Sequence, residues 1–416
     1  MRRCLTCTVL LTAGFFMTLS PSAGARADAP GTWVTTWASS PSLPIEKLPL
    51  PFWKPAPDLQ GTVRYTVRVS AGGDQIRIRL SAETLPQDLI IDHATVALAD
   101  DQGQMLPKTL RHITFAGQAS ARVLAGAPLL SEAIDMPVSA GGVLVVSLHL
   151  PQPVTMPQAD NNHHTDVLPG DDQTEAPTLP GARAEDAREI VSAILVRSDA
   201  QARTIVAFGD SITDGFGAKD RLMRGWPDQL AALLRARGIR NIGIANSGIG
   251  GNRILRGEVG PSALARFDRD VLATPGVTDV VLLEGINDLG LSGLPTLRTS
   301  ATHPTVTAED IIDGYSQLIA RARARHVAVH GATLTPALGA TLPGYATPEK
   351  EVIRQKINHW IRTSGAFDDV IDFDAAVRDP GHPDHIRPEY DCGDHLHPSD
   401  AGYRAMAEAA LAILAP

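Results

Sequence analysis

Four short segments carry side chains suited to acyl transfer: Gly209-Asp210-Ser211, Asn246 to Gly251, Gly285-Ile286-Asn287-Asp288, and Asp394-His395-Leu396-His397-Pro398. Ser211 stands between Gly209 and Gly215, which permit a tight turn where a hydroxyl can be exposed as a nucleophile. Taken alone, Gly-Asp-Ser reads more readily as a helix cap, because Ser and Asp are common in turns. Asn246-Ser247-Gly248-Ile249-Gly250-Gly251 offers backbone amides to a ligand with no Cβ in the way, and Asn287 offers a side-chain amide. Each also fits an ordinary tight turn. Their weight comes from recurring together, each just after a short apolar run.

A hydroxyl nucleophile needs a base, and the chain has 13 histidines. Spacing narrows the choice to two segments of the form Asp-x-x-His-Pro, Asp379 to Pro383 and Asp394 to Pro398. The second runs directly into a final helical segment, Ser399 to Leu414, which would hold it rigidly. The first has proline and glycine between carboxylate and imidazole. His397 with Asp394 is therefore the favoured pair. A serine, a histidine and a carboxylate are what ester hydrolysis needs, and neither a metal nor another cofactor is called for.

Side chains so far apart in sequence must be brought together by the elements between them. After Arg203 the chain alternates short apolar runs with helical segments. The runs are Thr204–Phe208, Asn241–Ala245, Asp279–Leu283, Val327–Thr333 and Val370–Phe373. The helices expected between them are Trp226–Arg237, Pro261–Ala273, Ala308–Arg325 and Pro348–Thr363, the third opening on a Thr307-x-x-Asp310 capping pattern. Such alternation predicts a parallel sheet between helical layers, with ligands bound beyond the carboxyl ends of its strands. Before Arg203 the rhythm is different. Val63, Tyr65, Val67 and Val69 alternate with polar residues, as do Ile76, Ile78 and Leu80, with a turn at 71–74. Further strands are expected at Asp88–Leu98, Leu110–Phe115, Gly142–Leu150 and Glu189–Val196, giving a sandwich or jelly roll. Pro151–Glu185, rich in Pro, Asp and Asn, reads as a long loop and is the segment expected to reach the active site.

These patterns divide the chain into residues 1–27, 28–200 and 201–416. Arg2-Arg3, the apolar stretch Leu10–Leu19 and Ala25-Arg26-Ala27 form a secretion signal, implying a secreted or periplasmic protein. Later apolar runs are too short to span a bilayer. Thirty-seven Lys+Arg against 46 Asp+Glu, a net charge of -9 with no polybasic run, disfavour nucleic acid and anionic membranes as partners. Beyond the signal, which holds Cys4 and Cys7, only Cys392 remains, so no intrachain disulfide can form. Cys392 lies near His397, but no histidine–cysteine signature makes it a nucleophile.

The four segments resemble the GDSL, or SGNH, hydrolases over about 210 residues, Arg203 to Leu414, and stand in that family's order. The resemblance implies a three-layer α/β/α hydrolase domain behind the β-sandwich. It also implies roles: Ser211 as nucleophile, His397 as base, and Asp394 as the group that orients it. An oxyanion would be held by the Ser211 N–H, the Gly251 N–H and the Asn287 side chain. Asp210 and Asn246 would support the site's loops. No cofactor or metal is implied. The α/β-hydrolase elbow Gly-x-Ser-x-Gly occurs nowhere in the chain.

The expected substrate is a carboxylic ester with a short acyl group, such as an acetyl group on a polysaccharide. A lipase or lysophospholipase is the alternative in the same class. A carbohydrate-binding protein carrying an inactive hydrolase domain is the alternative outside it, and the full residue set argues against that. Trp33 and Trp37 could stack on sugar, but packing is the favoured reading. His163-His164 beside Asp160, Asp166, Asp171 and Asp172 reads as a solvated acidic loop more than a metal site, and the group around Asp379 to Asp394 matches no strong metal motif.

Overall fold

The structure is a computed structural model. It describes residues 31–43, 57–157, 164–220, 222–223, 225–296 and 301–415. The secretion signal expected over 1–27 lies outside the described residues, as does His163.

Among the described residues, thirteen strands come first. They are β1 (Thr32–Ala38), β2 (Asp58–Arg68), β3 (Gly73–Ser81), β4 (Leu89–Ile91) and β5 (His93–Ala99). Next come β6 (Arg111–His112), β7 (Ala121–Val123), β8 (Pro128–Leu130), β9 (Ile134–Val138) and β10 (Val143–Thr155). The last are β11 (His164–Leu168), β12 (Arg183–Asp186) and β13 (Val191–Ser198). They pair antiparallel in two large sheets, β1-β13-β3-β8 with β9 also on β3, and β12-β11-β2-β10-β5-β6, beside the small pair β4-β7. Ile76, Ile78 and Ile194 from one sheet share a core with Val63, Tyr65 and Val146 from the other. Alternation every second residue puts those side chains inward while Arg77 and Arg79 face out. Trp37 is buried in this core, and Trp33 lies under the Arg77 guanidinium, so both tryptophans pack.

Two expectations need correction here. The strand expected at Asp88–Leu98 is broken at Asp92 into β4 and β5, which join different sheets. Pro151–Glu185 is not a free loop. Strand β10 runs on to Thr155, and β11 and β12 extend the second sheet beside β2. The carbonyls of Gln173, Thr174, Ala176 and Pro177 all accept from the buried Arg64 guanidinium. That anchoring ties the described part of the segment to the sandwich, because an arginine's fixed fork of donors needs several acceptors once desolvated.

The parallel part follows, opening with β14 (Arg203–Gly209), α1 (Ser211–Asp214), α2 (Gly225–Ala236), β15 (Ile242–Gly248), α3 (Ala263–Phe267), β16 (Val277–Leu283) and α4 (Ile286–Leu291). It ends with α5 (Ala308–Arg323), β17 (Ala328–Ala332), α6 (Pro348–Thr363), β18 (Asp369–Ile371), α7 (Phe373–Val377) and α8 (Asp400–Leu414). All strand pairs are parallel, in the order β15-β14-β16-β17-β18. Helices α2, α7 and α8 pack together, as do α3, α5 and α6, completing a three-layer α/β/α domain. The capping box at Thr307 and Asp310 is formed. The helix expected over Pro261–Ala273 is shorter: α3 ends at Phe267 and a wider π turn carries Asp268–Leu272.

Strand order sets where a ligand fits. Strand β14 lies between β15 and β16, so the chain crosses to one side after β14 and to the other after β15. The crevice at such a reversal opens beyond the carboxyl end of the central strand. Ser211 begins there.

Candidate active site

The nucleophile candidate sits on a one-turn helix. Asp210 caps α1 by accepting from the Ile212 amide at 2.9 Å, and Gly215 ends the turn in left-handed backbone. The capping reading of Gly-Asp-Ser is thus literal for Asp210, and it leaves Ser211 at the first helical position. Asn246, near the end of β15, ties that strand to the same helix. Its Nδ2 donates to the Thr213 carbonyl at 2.9 Å and its Oδ1 accepts from the Gly248 amide at 3.0 Å.

Ser211 Oγ lies 2.7 Å from His397 Nε2, and His397 Nδ1 lies 2.6 Å from Asp394 Oδ2. A carboxylate can only accept, so Nδ1 carries the proton and Nε2 presents its lone pair to the hydroxyl. Asp394 Oδ1 also accepts from the amides of Leu396 and His397, which fixes the carboxylate within its own turn. Partial burial alone would raise the Asp394 carboxyl. The hydrogen bond and charge of His397 with those two amides outweigh it and hold Asp394 far below the usual carboxylate range. Phe216 lies against the imidazole with ring centroids 4.2 Å apart. Its carbonyl accepts from Tyr403 Oη at 2.6 Å, anchoring the loop after α1 to α8. The other Asp-x-x-His-Pro segment is elsewhere: the His382 side chain is 75% exposed and 3.5 Å from Asp379.

Asn287 stands in the first turn of α4, after Gly285 in left-handed backbone. Its Nδ2 donates to the Asn252 carbonyl at 3.0 Å, and its Oδ1 accepts from Tyr345 Oη at 2.8 Å. Burial first, then nearby carboxylates, raise the Tyr345 phenol well above its ordinary value, so it remains a donor. That bond fixes which end of the amide carries the two N–H groups, leaving one for a ligand. Gly251 follows β15 in left-handed backbone, φ +67°, a conformation that favours glycine. Asp288 accepts from the amides of Ile254 and Leu255 at 2.7 and 3.0 Å, tying the Asn287 turn to the loop that holds Gly251.

Beneath these loops lies Arg266, fully buried. It donates to the carbonyls of Gly209 and Ser247, to Asn252 Oδ1, and to carboxyl oxygens of Asp270 and Glu284. One guanidinium thus joins the ends of β14 and β15 to Glu284, which follows β16. Glu284 is wholly buried, and burial foremost raises both its carboxyl and that of Asp210. Neither Arg266 nor Tyr345 was singled out by the sequence, where nothing local marks them. Desolvation and the adjacent Asp394 charge push the Cys392 thiol up to about 12, so it is no thiolate nucleophile.

A hydroxyl on the lone pair of an oriented imidazole, beside a fixed amide donor at a sheet's reversal point, is an arrangement that can lower the cost of removing the hydroxyl proton. Residues 207–405 match the family of GDSL-like lipases/acylhydrolases. The chain therefore carries a GDSL-like acylhydrolase domain, which cleaves ester bonds. Similar solved structures include a putative lipolytic protein of the G-D-S-L family from Desulfitobacterium hafniense, 20% identical. It covers 51% of this chain and 99% of its own, with a TM-score of 0.38. A lipase/acylhydrolase from Enterococcus faecalis is 22% identical over 50% of this chain and 94% of that one, TM-score 0.38. A catalytic mutant of an acetylxylan esterase from Geobacillus stearothermophilus is 22% identical over 50% and 93%, also with a TM-score of 0.38. No curated protein matches the chain.

Proposed function

We propose that the protein is an exported serine esterase acting on short acyl esters of a polar alcohol, with acetyl groups on a polysaccharide as the leading substrate class. The observation that carries this is the chain of contacts Ser211 Oγ–His397 Nε2 at 2.7 Å and His397 Nδ1–Asp394 Oδ2 at 2.6 Å. In this reading Ser211 Oγ attacks the ester carbonyl as His397 takes its proton. The Ser211 N–H, the Gly251 N–H and Asn287 Nδ2 hold the oxygen that becomes negative, each typically giving about 10²–10³ in kcat. His397 then returns the proton to the departing alcohol, and a water activated in the same way releases the acid.

A polar alcohol is supported by the polar side chains near His397: His395 is 54% exposed and paired with Asp391, and His385, paired with Asp384, borders Gly339 together with His395. Export is supported by Arg2-Arg3, the apolar run Leu10–Leu19 and the small residues at 25–27. Ser211→Ala should abolish turnover of p-nitrophenyl acetate in a folded protein, and more than trace activity in that variant would overturn the mechanism. Among p-nitrophenyl esters, acetate and butyrate should be turned over faster than laurate or palmitate. The reverse order would favour the lipase or lysophospholipase reading.

A further inference from the structure

We propose that His93, His112 and Glu175, on the outer face of the β-rich region, form a zinc-binding site, with Asp172 positioning its first ligand. His93 in β5 and His112 in β6 come from neighbouring antiparallel strands. One ring nitrogen of each and a carboxylate oxygen of Glu175 all lie within 4.8 Å of one another. His93 Nε2 and His112 Nδ1 face each other at 3.0 Å. Two imidazole ligands on a tetrahedral zinc, with Zn–N of about 2.0–2.1 Å, would stand roughly 3.3 Å apart, so the pair needs to open only slightly. The His112 side chain is more than half exposed and has room to turn.

The tautomer of His93 supports a ligand role. Its Nδ1 lies 2.6 Å from Asp172 Oδ2, and that carboxylate is itself held by the Thr174 amide at 2.8 Å. Nδ1 therefore carries the proton, and Nε2 turns its lone pair toward His112, whose own Nε2 lies 3.9 Å from a Glu175 oxygen. A carboxylate on the far nitrogen of a metal-binding histidine is the usual second support of such sites, because it fixes the ring and makes the ligand more basic. His149, opposite His93 on β10, provides the contrast. Its Nδ1 meets Asp92 at 2.7 Å and its Nε2 meets the Gly170 carbonyl at 3.1 Å, so both nitrogens donate and neither can bind a cation. Two histidines and one carboxylate leave the fourth position to water, and an ion there would tie the 172–175 segment to β5 and β6 of the second sheet.

The test is calorimetric titration of EDTA-treated full-length protein with zinc chloride. One ion per chain should bind at micromolar affinity or better, and thermal unfolding should move upward with added zinc. His93→Ala and His112→Ala should each abolish that binding, and Asp172→Asn should weaken it about 10–100-fold. His149→Gln should leave it intact. Turnover of p-nitrophenyl acetate should be unchanged by EDTA and in the His112→Ala variant, because none of these residues belongs to the site around Ser211. Absence of binding, or stoichiometric binding that survives loss of both His93 and His112, would overturn the assignment. So would its loss in His149→Gln.

Discussion

Replacing Arg266 by methionine tests whether one buried guanidinium holds together the loops around Ser211. Methionine keeps most of the side chain's length and loses every donor. The wild-type group gives bonds of 2.8 Å to the Gly209 carbonyl, 2.7 Å to the Ser247 carbonyl and 2.8 Å to Asn252 Oδ1. It also reaches Asp270 at 3.0 Å and Glu284 at 3.1 Å, and its plane lies over the Phe208 ring at 4.0 Å. Breaking a buried ion pair by removing one partner costs about 3–5 kcal/mol. Each buried carbonyl left without a donor adds roughly 1–3 kcal/mol. Three features temper the sum: the Gly209 carbonyl keeps the Ile249 amide, Asp270 keeps its bonds to Arg269, and losses within one network do not add. A net loss of about 4 kcal/mol is the working figure, lowering Tm by some 8–16 °C in a domain of this size. The assay is urea unfolding together with kcat and KM on p-nitrophenyl acetate. Below the melting transition kcat should fall about 10²-fold, since misplacing reacting groups by an ångström costs that much. Arg404→Met is the control, because its exposed pairing with Glu408 should be worth under about 1 kcal/mol. If Arg266→Met stays within about 1 kcal/mol of wild type and keeps its turnover, the reasoning fails.

Tyr345→Phe removes the bond that fixes the Asn287 amide, so kcat should drop about tenfold with little change in KM, a smaller loss than the roughly 10²–10³ expected for Asn287→Ala. A Tyr345→Phe variant with wild-type kcat would show that the amide needs no such support. His397→Ala should lose several orders of magnitude in kcat/KM while His382→Ala changes little, and the opposite pattern would move the base to the other Asp-x-x-His-Pro segment. Burial raises the Glu284 carboxyl above the 4.5 of a free side chain, so the native state keeps a proton that the unfolded chain releases. Wild-type stability should therefore fall as pH rises above about 4.5, and Glu284→Gln should gain on it from pH 4 to pH 8 in urea midpoints. A difference that does not vary with pH would show that Glu284 is ionised in both states.

What could be read from the sequence was local. Asp394 and His397 are three residues apart in one turn, and Asp394 binds amides of that same turn, so spacing narrows the base to this segment or Asp379 to Pro383, and the helix that follows favours this one. The strand–helix alternation likewise reports which residues face inward, and that gives the parallel sheet. Arg266 acts on Gly209, 57 positions away, and Tyr345 on Asn287, 58 away. Neither distance leaves a periodic trace. Composition misled for Pro151–Glu185, because Pro, Asp and Asn mark irregular backbone without saying where its polar groups are satisfied. There the answer is Arg64, a residue on β2 that reads in sequence as an ordinary outward-facing position.

The β-rich region is joined to the hydrolase sheet through main-chain contacts, which bears on what it does. Strand β15 is the edge of the parallel sheet, and an uncovered edge invites pairing with another chain. Here β1 covers it. Gly243 allows the approach, since a Cβ there would stand 2.1 Å from the Thr35 carbonyl, and Ser70 Oγ accepts from the Ile244 amide at 2.8 Å. A second link reaches the candidate site. Arg188, just before β13, makes a two-pronged contact of 3.2 and 2.9 Å with Asp214, the last residue of the helix that begins at Ser211. Both side chains are buried. A module attached only to capture polysaccharide would need no buried charge pair on the helix that begins at Ser211. This one closes the sheet's open edge and braces the turn that presents Ser211, so separating the two regions would disturb the site even for the smallest ester.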